Sequence, residues 1–464
     1  MSDDKKITVI GAGISGLATT FWLHRDGFEV TVLERNSAPG GTMETVTKGG
    51  FLFDRGPNSG LETTPYIRML AEAAGIEGEM IYADAEANKR YILRNNTLHP
   101  LPTSPPAFIS SKLFSSGAKL RLLREPFIGR SKEGYYQSLA EFVERRLGRE
   151  FLDYAINPFV SGVFAGRPEE LSVKSAFPKL YRLEEKYGGL LKGMVLGARE
   201  RRKSAETSKQ SARMFSFRQG MQVFPQALAG QLGPGVIYNA GIEKIVRSGN
   251  KYIVHYSQGG EHKHIDSDAV ITTIPSYILA GIVRDMDDKL HEHLASIYYP
   301  PVLVAYAGYK RSAIGQPLDG FGFLIPEKEN KSFLGAIWSS TLFPGRSPEN
   351  HASFTLFIGG ARSPGLAGEN IEQLLDKSLK EFQEIMKIGD KPIFLETRMW
   401  EKAIPQYKPG HVEHVTYFEA FERANPGFFI SGNFRGGISV GDCVKNSDIT
   451  FKKVKSYISG DNPA

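Results

Sequence analysis

The sequence predicts an α/β fold in three parts: a parallel-sheet domain assembled from separated stretches of chain, an α+β domain, and a mostly helical insertion. Three observations predict it. Residues 1–35 read as strand, glycine turn, helix, strand, a βαβ unit that implies parallel strands with a right-handed crossover. The end of the chain returns to strand, glycine turn and helix. Between them lies a stretch of helical spacing with a strongly basic end.

Each element follows from its pattern. Ile7 to Ile10 is a short apolar run with β-branched residues, Ser15 to Arg25 has helical spacing, and Glu29 to Leu33, introduced by Gly27, is a second strand. Residues 1–84 are thus the first part of a Rossmann-like domain. Residues 85–213 are the helical insertion: turn-rich Leu101 to Pro106 comes first, then helical patterns such as Ser138 to Gly148, then Arg199, Arg201, Arg202, Lys203, Lys209 and Arg213. In residues 214–280 strand signals return, with Lys251 to Ser257 alternating and Asp268 to Pro275 a buried strand that ends at proline. Tyr299 to Tyr309 and Ser353 to Ile358 suggest a second sheet in a substrate domain over residues 281–398. Residues 399–464 complete the first domain, with Gly427 to Asn433 as its strand.

With 464 residues, 41% apolar and 23% charged, the composition is that of a globular chain of two or three domains rather than a disordered one. The net charge of +6 permits nucleic acid, anionic lipid or an anionic substrate and does not choose among them. A single cysteine, Cys443, excludes an internal disulfide framework and a Cys-rich metal site. Asp3 and Asp4 beside Lys5 and Lys6, and glycines within Ile7 to Leu23, argue against a signal peptide. No run of 18 apolar residues suggests a spanning helix, so the expected location is cytoplasmic.

The chemistry-bearing motifs are glycine-rich. Gly11-Ala12-Gly13-Ile14-Ser15-Gly16 follows a strand and opens a helix. Its glycines suit a tight turn, close approach of a pyrophosphate, and close helix–strand packing, while the helix N-terminus offers unpaired N–H groups. Glu34 closes the next strand, where a carboxylate can accept from ribose hydroxyls. Arg35 to Thr42 then carries adjacent Gly40 and Gly41, whose amides can face phosphate without side-chain obstruction. This pair resembles the FAD superfamily of amine oxidases and carotenoid desaturases. Gly56-Pro57-Asn58-Ser59 is a turn after Phe51 to Asp54; in that superfamily it sits beside the flavin ring. Near the C-terminus, Gly432-Asn433 ends an apolar strand, and Gly436-Gly437-Ile438-Ser439-Val440 opens a helix. The stretch is similar to the second FAD fingerprint, although Asp is more usual than Asn there. The close histidine pairs His262 and His264, His291 and His293, His411 and His414 lie in no metal-binding frame, so surface or loop positions and no metal are expected.

Longer stretches narrow the resemblance. Asn88 to Leu93, Pro158 to Pro178, Phe215 to Met221, Leu318 to Pro326 and Ser431 to Gly441 resemble the protoporphyrinogen oxidase family along nearly the whole chain. The paired N- and C-terminal fingerprints, with no cysteine or histidine placed for a covalent flavin link, predict noncovalent FAD; the resemblance implies a six-electron, stepwise aromatisation of a porphyrinogen in heme biosynthesis, with O2 as acceptor and peroxide as by-product. It implies that Arg90 pairs with a substrate propionate, that Phe321 packs on the tetrapyrrole, that Val302 is an aliphatic clamp and that Gly162 lines the pocket. Trp400 and the backbone at Ile242 match FAD contacts. No side chain stands out as a general base, so catalysis is expected to rest on positioning over the flavin.

Alternatives remain at this point. Coproporphyrinogen oxidation is the nearest; an amine oxidase, a carotenoid desaturase, or a non-enzymatic lipid carrier like the Rab escort proteins is more distant. The basic end of the insertion, with Phe108, Leu113 and Phe114, suggests peripheral contact with an anionic membrane on the inner face of the cell membrane; a solvated basic face is the alternative. Handover of product to the next heme-pathway enzyme is a further expected partnership, and nucleic acid is not expected.

Overall fold

The computed structural model describes residues 5–85, 87, 89–197 and 212–460. Its α/β architecture follows the predicted class. Five parallel strands form the central sheet in the order Val236–Ile237, Glu29–Leu33, Lys6–Ile10, Ala269–Thr272, Phe428–Ile430. Lys6–Ile10 lies in the middle, which explains its near-complete burial, with Val9 0% exposed. Helix Ile14–Arg25 crosses back over the sheet and packs with helix Val440–Ser459 through Leu17, Val440, Cys443 and Val444. That packing brings the first and last glycine motifs side by side.

A three-stranded antiparallel sheet, Gly241–Ser248, Lys251–Gln258 and Glu261–Ser267, covers the other face. The second lobe is a seven-stranded mixed sheet around Val302–Lys310 and His351–Gly359, two nine-residue strands in antiparallel register. Helix Ile371–Met386 packs Leu379, Phe382 and Met386 against it.

One stretch differs from its sequence reading. Lys89–Arg94 and Thr97–Pro100, grouped with the helical segment, form a hairpin at the edge of this sheet, where Lys89–Arg94 pairs in parallel with Gly320–Leu324. The pairing joins residues about 230 apart, so local pattern could not announce it. The helical segment proper includes Leu139–Arg146, which starts on a capping box between Ser138 and Glu141, and Asn157–Phe164. Phe108, Leu113 and Phe114, expected at a lipid boundary, instead pack with Ile92, Phe151 and Tyr154; Leu113 is fully buried. The basic residues Arg199, Arg201, Arg202, Lys203 and Lys209 lie outside the described residues, as does Asn88.

Candidate functional site

The two glycine loops are joined at the ends of the central strands. Gly13 and Gly40 form a parallel bridge, and the Gly40 N–H donates to the Ala12 carbonyl at 2.8 Å. Gly11 adopts φ +103°, and a Cβ on Gly16 would lie 2.0 Å from the Gly11 carbonyl oxygen. Helix Ile14–Arg25 can therefore approach its strand only with glycine there. Gly13 is different: nothing lies within 4 Å of where its Cβ would be. It is the N-cap of a helix with no side-chain cap, and Ser15 behind it is buried. Open space before unpaired N–H groups is what a pyrophosphate requires.

Glu34 is 5% exposed and braces this cradle. Its oxygens accept from the Ala12 N–H at 2.8 Å and the Asn36 N–H at 2.9 Å, which leaves lone pairs for hydroxyl donors. The Ala240 N–H donates to the Glu34 carbonyl at 2.8 Å, so the strand end carrying Ile242 lies alongside. Arg35, Gly41 and Thr42 stay exposed beside the loop. A Cβ on Gly56 would fall 1.9 Å from the Thr42 carbonyl oxygen, which seats the Gly56–Pro57 turn directly on the glycine pair. Trp400 Nε1 donates to the Arg55 carbonyl at 2.9 Å and fixes that turn from the second lobe. Asn58 and Ser59 line a small cavity behind it.

The C-terminal fingerprint closes the seam. Gly432 and Gly437 adopt φ +135° and +130°. Ser439 caps helix Val440–Ser459 in a reciprocal box with Asp442, while Asn433, Gly437, Ile438 and Ser439 keep partial exposure. One residue that carried no sequence signal organises the region. The Tyr407 hydroxyl donates to the Asn433 carbonyl at 2.7 Å and accepts from the Gly437 N–H at 2.9 Å. The Tyr407 carbonyl accepts from the Ser172 N–H at 2.8 Å, and its ring meets Phe164. Tyr407 thus ties the Pro158–Pro178 segment to the last glycine loop. His411, expected at the surface, is buried and stacked on Tyr407 with centroids 4.2 Å apart, and burial lowers its pKa to about 4.

The other wall is built on the Lys89–Arg94 strand. Lys89 and Tyr91 both reach Asp319, at 2.6 and 2.7 Å. Alternation sends Arg90 the other way, with its guanidinium carbon 5.8 Å from the Phe321 ring centroid. Among the described residues no acceptor takes a hydrogen bond from that guanidinium, and desolvation alone lowers its pKa. Phe321 sits at a register shift between Gly320 and Gly322 and packs with Ile337, Leu342 and Phe343, which line the cavity behind the Gly56 turn. Gly162 is exposed, and a Cβ there would be 2.5 Å from Leu324 Cδ2, so helix Asn157–Phe164 lies against the end of the same strand. Val302 is not part of this group. It is 5% exposed in a core with Phe53 and Tyr306, paired in register with Trp400.

Comparison with known proteins agrees with this assembly. The family described as flavin containing amine oxidoreductase matches residues 14–446. Protoporphyrinogen oxidase 2, chloroplastic/mitochondrial, of Arabidopsis thaliana is 32% identical over 98% of the chain and 94% of its own length. Coproporphyrinogen III oxidase of Bacillus subtilis (strain 168) is 27% identical over 99% of the chain and 100% of its own. A crystal structure of a candidate protoporphyrinogen oxidase from Exiguobacterium sp. 255-15 superposes with a TM-score of 0.79 at 21% identity, covering 98% of the chain and 99% of that structure, and so shares the fold.

Proposed function

The chain belongs to the flavin containing amine oxidoreductases, and from that membership we propose that it oxidises a porphyrinogen to a porphyrin in heme biosynthesis, protoporphyrinogen IX first among candidates. The observation that carries this reading is an unpaired guanidinium over an aromatic ring, Arg90 on Phe321, in a chain whose glycine fingerprints meet in one seam. A porphyrinogen is an apolar disc with carboxylate edges, and it needs such a pairing of cation and ring. The relative matched over its whole length favours coproporphyrinogen III as a second reading, since one cation serves either substrate.

The cofactor is FAD, and the residues present fit it. Gly13, Gly40, Gly41 and the uncapped helix would hold the pyrophosphate, Glu34 the ribose, and the loops at Gly56–Ser59 and Asn433–Val440 the flavin end. Bound noncovalently, it supplies a two-electron acceptor that O2 restores, three times per porphyrin. Arg90 binds a propionate and Phe321 the macrocycle face, while Gly162 leaves room at the wall where a side chain would intrude. Tyr407 holds the last loop still.

Among the described residues no helix is long and apolar enough to cross a membrane. Peripheral contact has a surface of its own. Ile109, Leu120, Leu123 and Phe127 are 65–88% exposed, beside Lys119, Arg121 and Arg124. Glu125 accepts from the Leu190 and Leu191 N–H groups and so brings exposed Val195 and Leu196 into the same region. Basic and apolar side chains together suit an anionic lipid surface. Handover of product to the next heme-pathway enzyme would follow from such placement.

Turnover of the two porphyrinogens under air, with porphyrin fluorescence and peroxide followed together, tests the reading. The expected result is oxidation of protoporphyrinogen with about three peroxides per porphyrin, as six electrons and a two-electron acceptor require. Preference for coproporphyrinogen would install the second reading, and inertness towards both would end it.

A further inference from the structure

Two small adjoining cavities lie behind the Gly56–Pro57 turn and share Leu52, Phe53, Ser339 and Arg346. The first reaches Asn58 and Ser59 on the flavin side; the second reaches Tyr306 and Ser353. Their polar lining is unusual. The Tyr306 hydroxyl and Ser353 Oγ are buried without a partner among the described residues, and Tyr306 is 2% exposed. Arg346, also 2% exposed, donates to the Ser216 hydroxyl at 2.8 Å and to the Phe217 and Arg218 carbonyls at 2.9 and 3.2 Å, with no carboxylate paired to it among the described residues. Buried polar groups left in this state mark a place for ordered water or for proton traffic.

Asp54 lines the first cavity. It is 2% exposed, and only one of its oxygens is engaged. Oδ1 accepts from the Thr45 hydroxyl at 2.5 Å and from the Met221 N–H at 2.8 Å, while Oδ2 takes no hydrogen bond from any described residue. Asp54 immediately precedes the Arg55–Pro57 turn that Trp400 fixes, and its carbonyl accepts from Asn58. The ionisable groups facing it are Arg346, from the loop after Phe343, and Tyr306, from strand Val302–Lys310 of the second lobe; Arg55, Glu44 and Arg398 stand further out around Tyr306. Burial raises the carboxyl pKa above its ordinary value, and Arg346 opposes that rise.

We infer that Asp54 is a proton store for the reaction, taking the proton that the substrate loses with each hydride and returning it when O2 is reduced, with the two cavities as its path. The inference rests on the porphyrinogen reading. In the reductive half, a carbon–hydrogen bond of the macrocycle breaks and both electrons leave with the hydrogen to the cofactor. A nitrogen–hydrogen bond then breaks, its electrons stay in the macrocycle as a new double bond, and the proton goes to Asp54 Oδ2. In the oxidative half, O2 takes two electrons and one hydrogen from the reduced cofactor and the stored proton from Asp54, which gives hydrogen peroxide and restores the carboxylate. No proton need cross the apolar wall of Phe53, Leu342 and Phe343 during a cycle.

Asp54→Asn tests this, because the amide oxygen can still accept from Thr45 and Met221 and only the atom without a hydrogen bond among the described residues changes. The holoenzyme without substrate should show an infrared band of a protonated carboxyl that persists above the ordinary aspartate range and is missing from Asp54→Asn. In rapid-mixing experiments, cofactor reduction in the variant should be about 10²-fold slower, the low end for loss of an acid–base group, with FAD content and KM unchanged. The wild-type rate should fall as pH drops through the Asp54 pKa, since a protonated carboxyl accepts nothing, and that limb should flatten in the variant. Should Asp54→Asn fail to fold, Tyr306→Phe removes an unpartnered hydroxyl and should move the same band and limb. An acid limb retained in Asp54→Asn, or no titrating band in the wild type, overturns the inference. A wild-type enzyme inert towards both porphyrinogens would instead refute the substrate reading, and the infrared titration separates the two failures.

Discussion

Gly13 and Gly16 are three residues apart in one motif, yet they should fail differently. A Cβ on Gly16 runs into backbone at 2.0 Å, so Gly16→Ala should lower the melting temperature of the flavin-free chain. A Cβ on Gly13 meets only open space, so Gly13→Val should fold nearly normally and purify without FAD; full flavin content would show that the pyrophosphate lies elsewhere. Arg90→Ala removes an exposed guanidinium that has no hydrogen-bond acceptor among the described residues, and with it the cation proposed for a propionate. KM should rise steeply at normal flavin occupancy, with partial recovery in Arg90→Lys, which keeps the charge but loses the fork. Unchanged kinetics would make Arg90 a structural residue. His411 is held neutral by burial, with its folded pKa near 4 against an ordinary 6.5. Its depressed folded value means the unfolded chain takes up a proton first. Stability is therefore complete above about pH 6.5 and falls towards pH 4, by about 3 kcal/mol from this residue alone. His411→Phe keeps a ring on Tyr407 and should flatten that slope in denaturant titrations at several pH values.

The bulge at Gly320–Gly322 is the element on which the substrate wall depends. A Cβ on Gly322, at φ +134°, would lie 2.1 Å from the Ala336 carbonyl oxygen. Gly322→Ala should shift Phe321 away from Arg90, raising KM while leaving flavin binding intact; an unchanged KM would show that the bulge does not place the ring. The same element marks where sequence reading stopped. Gly11 to Gly16, Glu34 and Gly40–Gly41 were legible because their geometry is enforced locally, within one βαβ unit. The Lys89–Arg94 strand was not, because its partner is distant and its own composition is ambiguous. Leu113 and Phe114 show the same limit: apolar residues between short helices look alike whether they face lipid or Tyr154. Tyr407 and Arg346 belong to no local motif, and Asp54 stood out in the sequence only as the end of the strand before the Gly56 turn; tertiary contacts give all three their meaning.

At the scale of the whole molecule, most of the exposed large apolar side chains among the described residues lie in the helical segment, and the seam of glycine loops lies elsewhere. Flotation with anionic vesicles at low salt should carry the protein upward, with release at high salt. Phe127→Ser together with Leu123→Ser should weaken flotation without changing porphyrinogen turnover in detergent; undiminished flotation would place the contact on another face. The central sheet has a consequence for how the protein is made. Its middle strand, Lys6–Ile10, leaves the ribosome long before its neighbour Ala269–Thr272 and the edge strand Phe428–Ile430. At ordinary elongation rates the wait for the last strand is roughly 20 to 90 s. Throughout it the nascent chain carries an unfinished, apolar sheet edge that calls for a chaperone's cover. If the Asn433–Val440 loop completes the proposed FAD cradle, the cofactor can enter only after that loop has been made, so its uptake serves as a checkpoint that chains lacking the loop cannot pass.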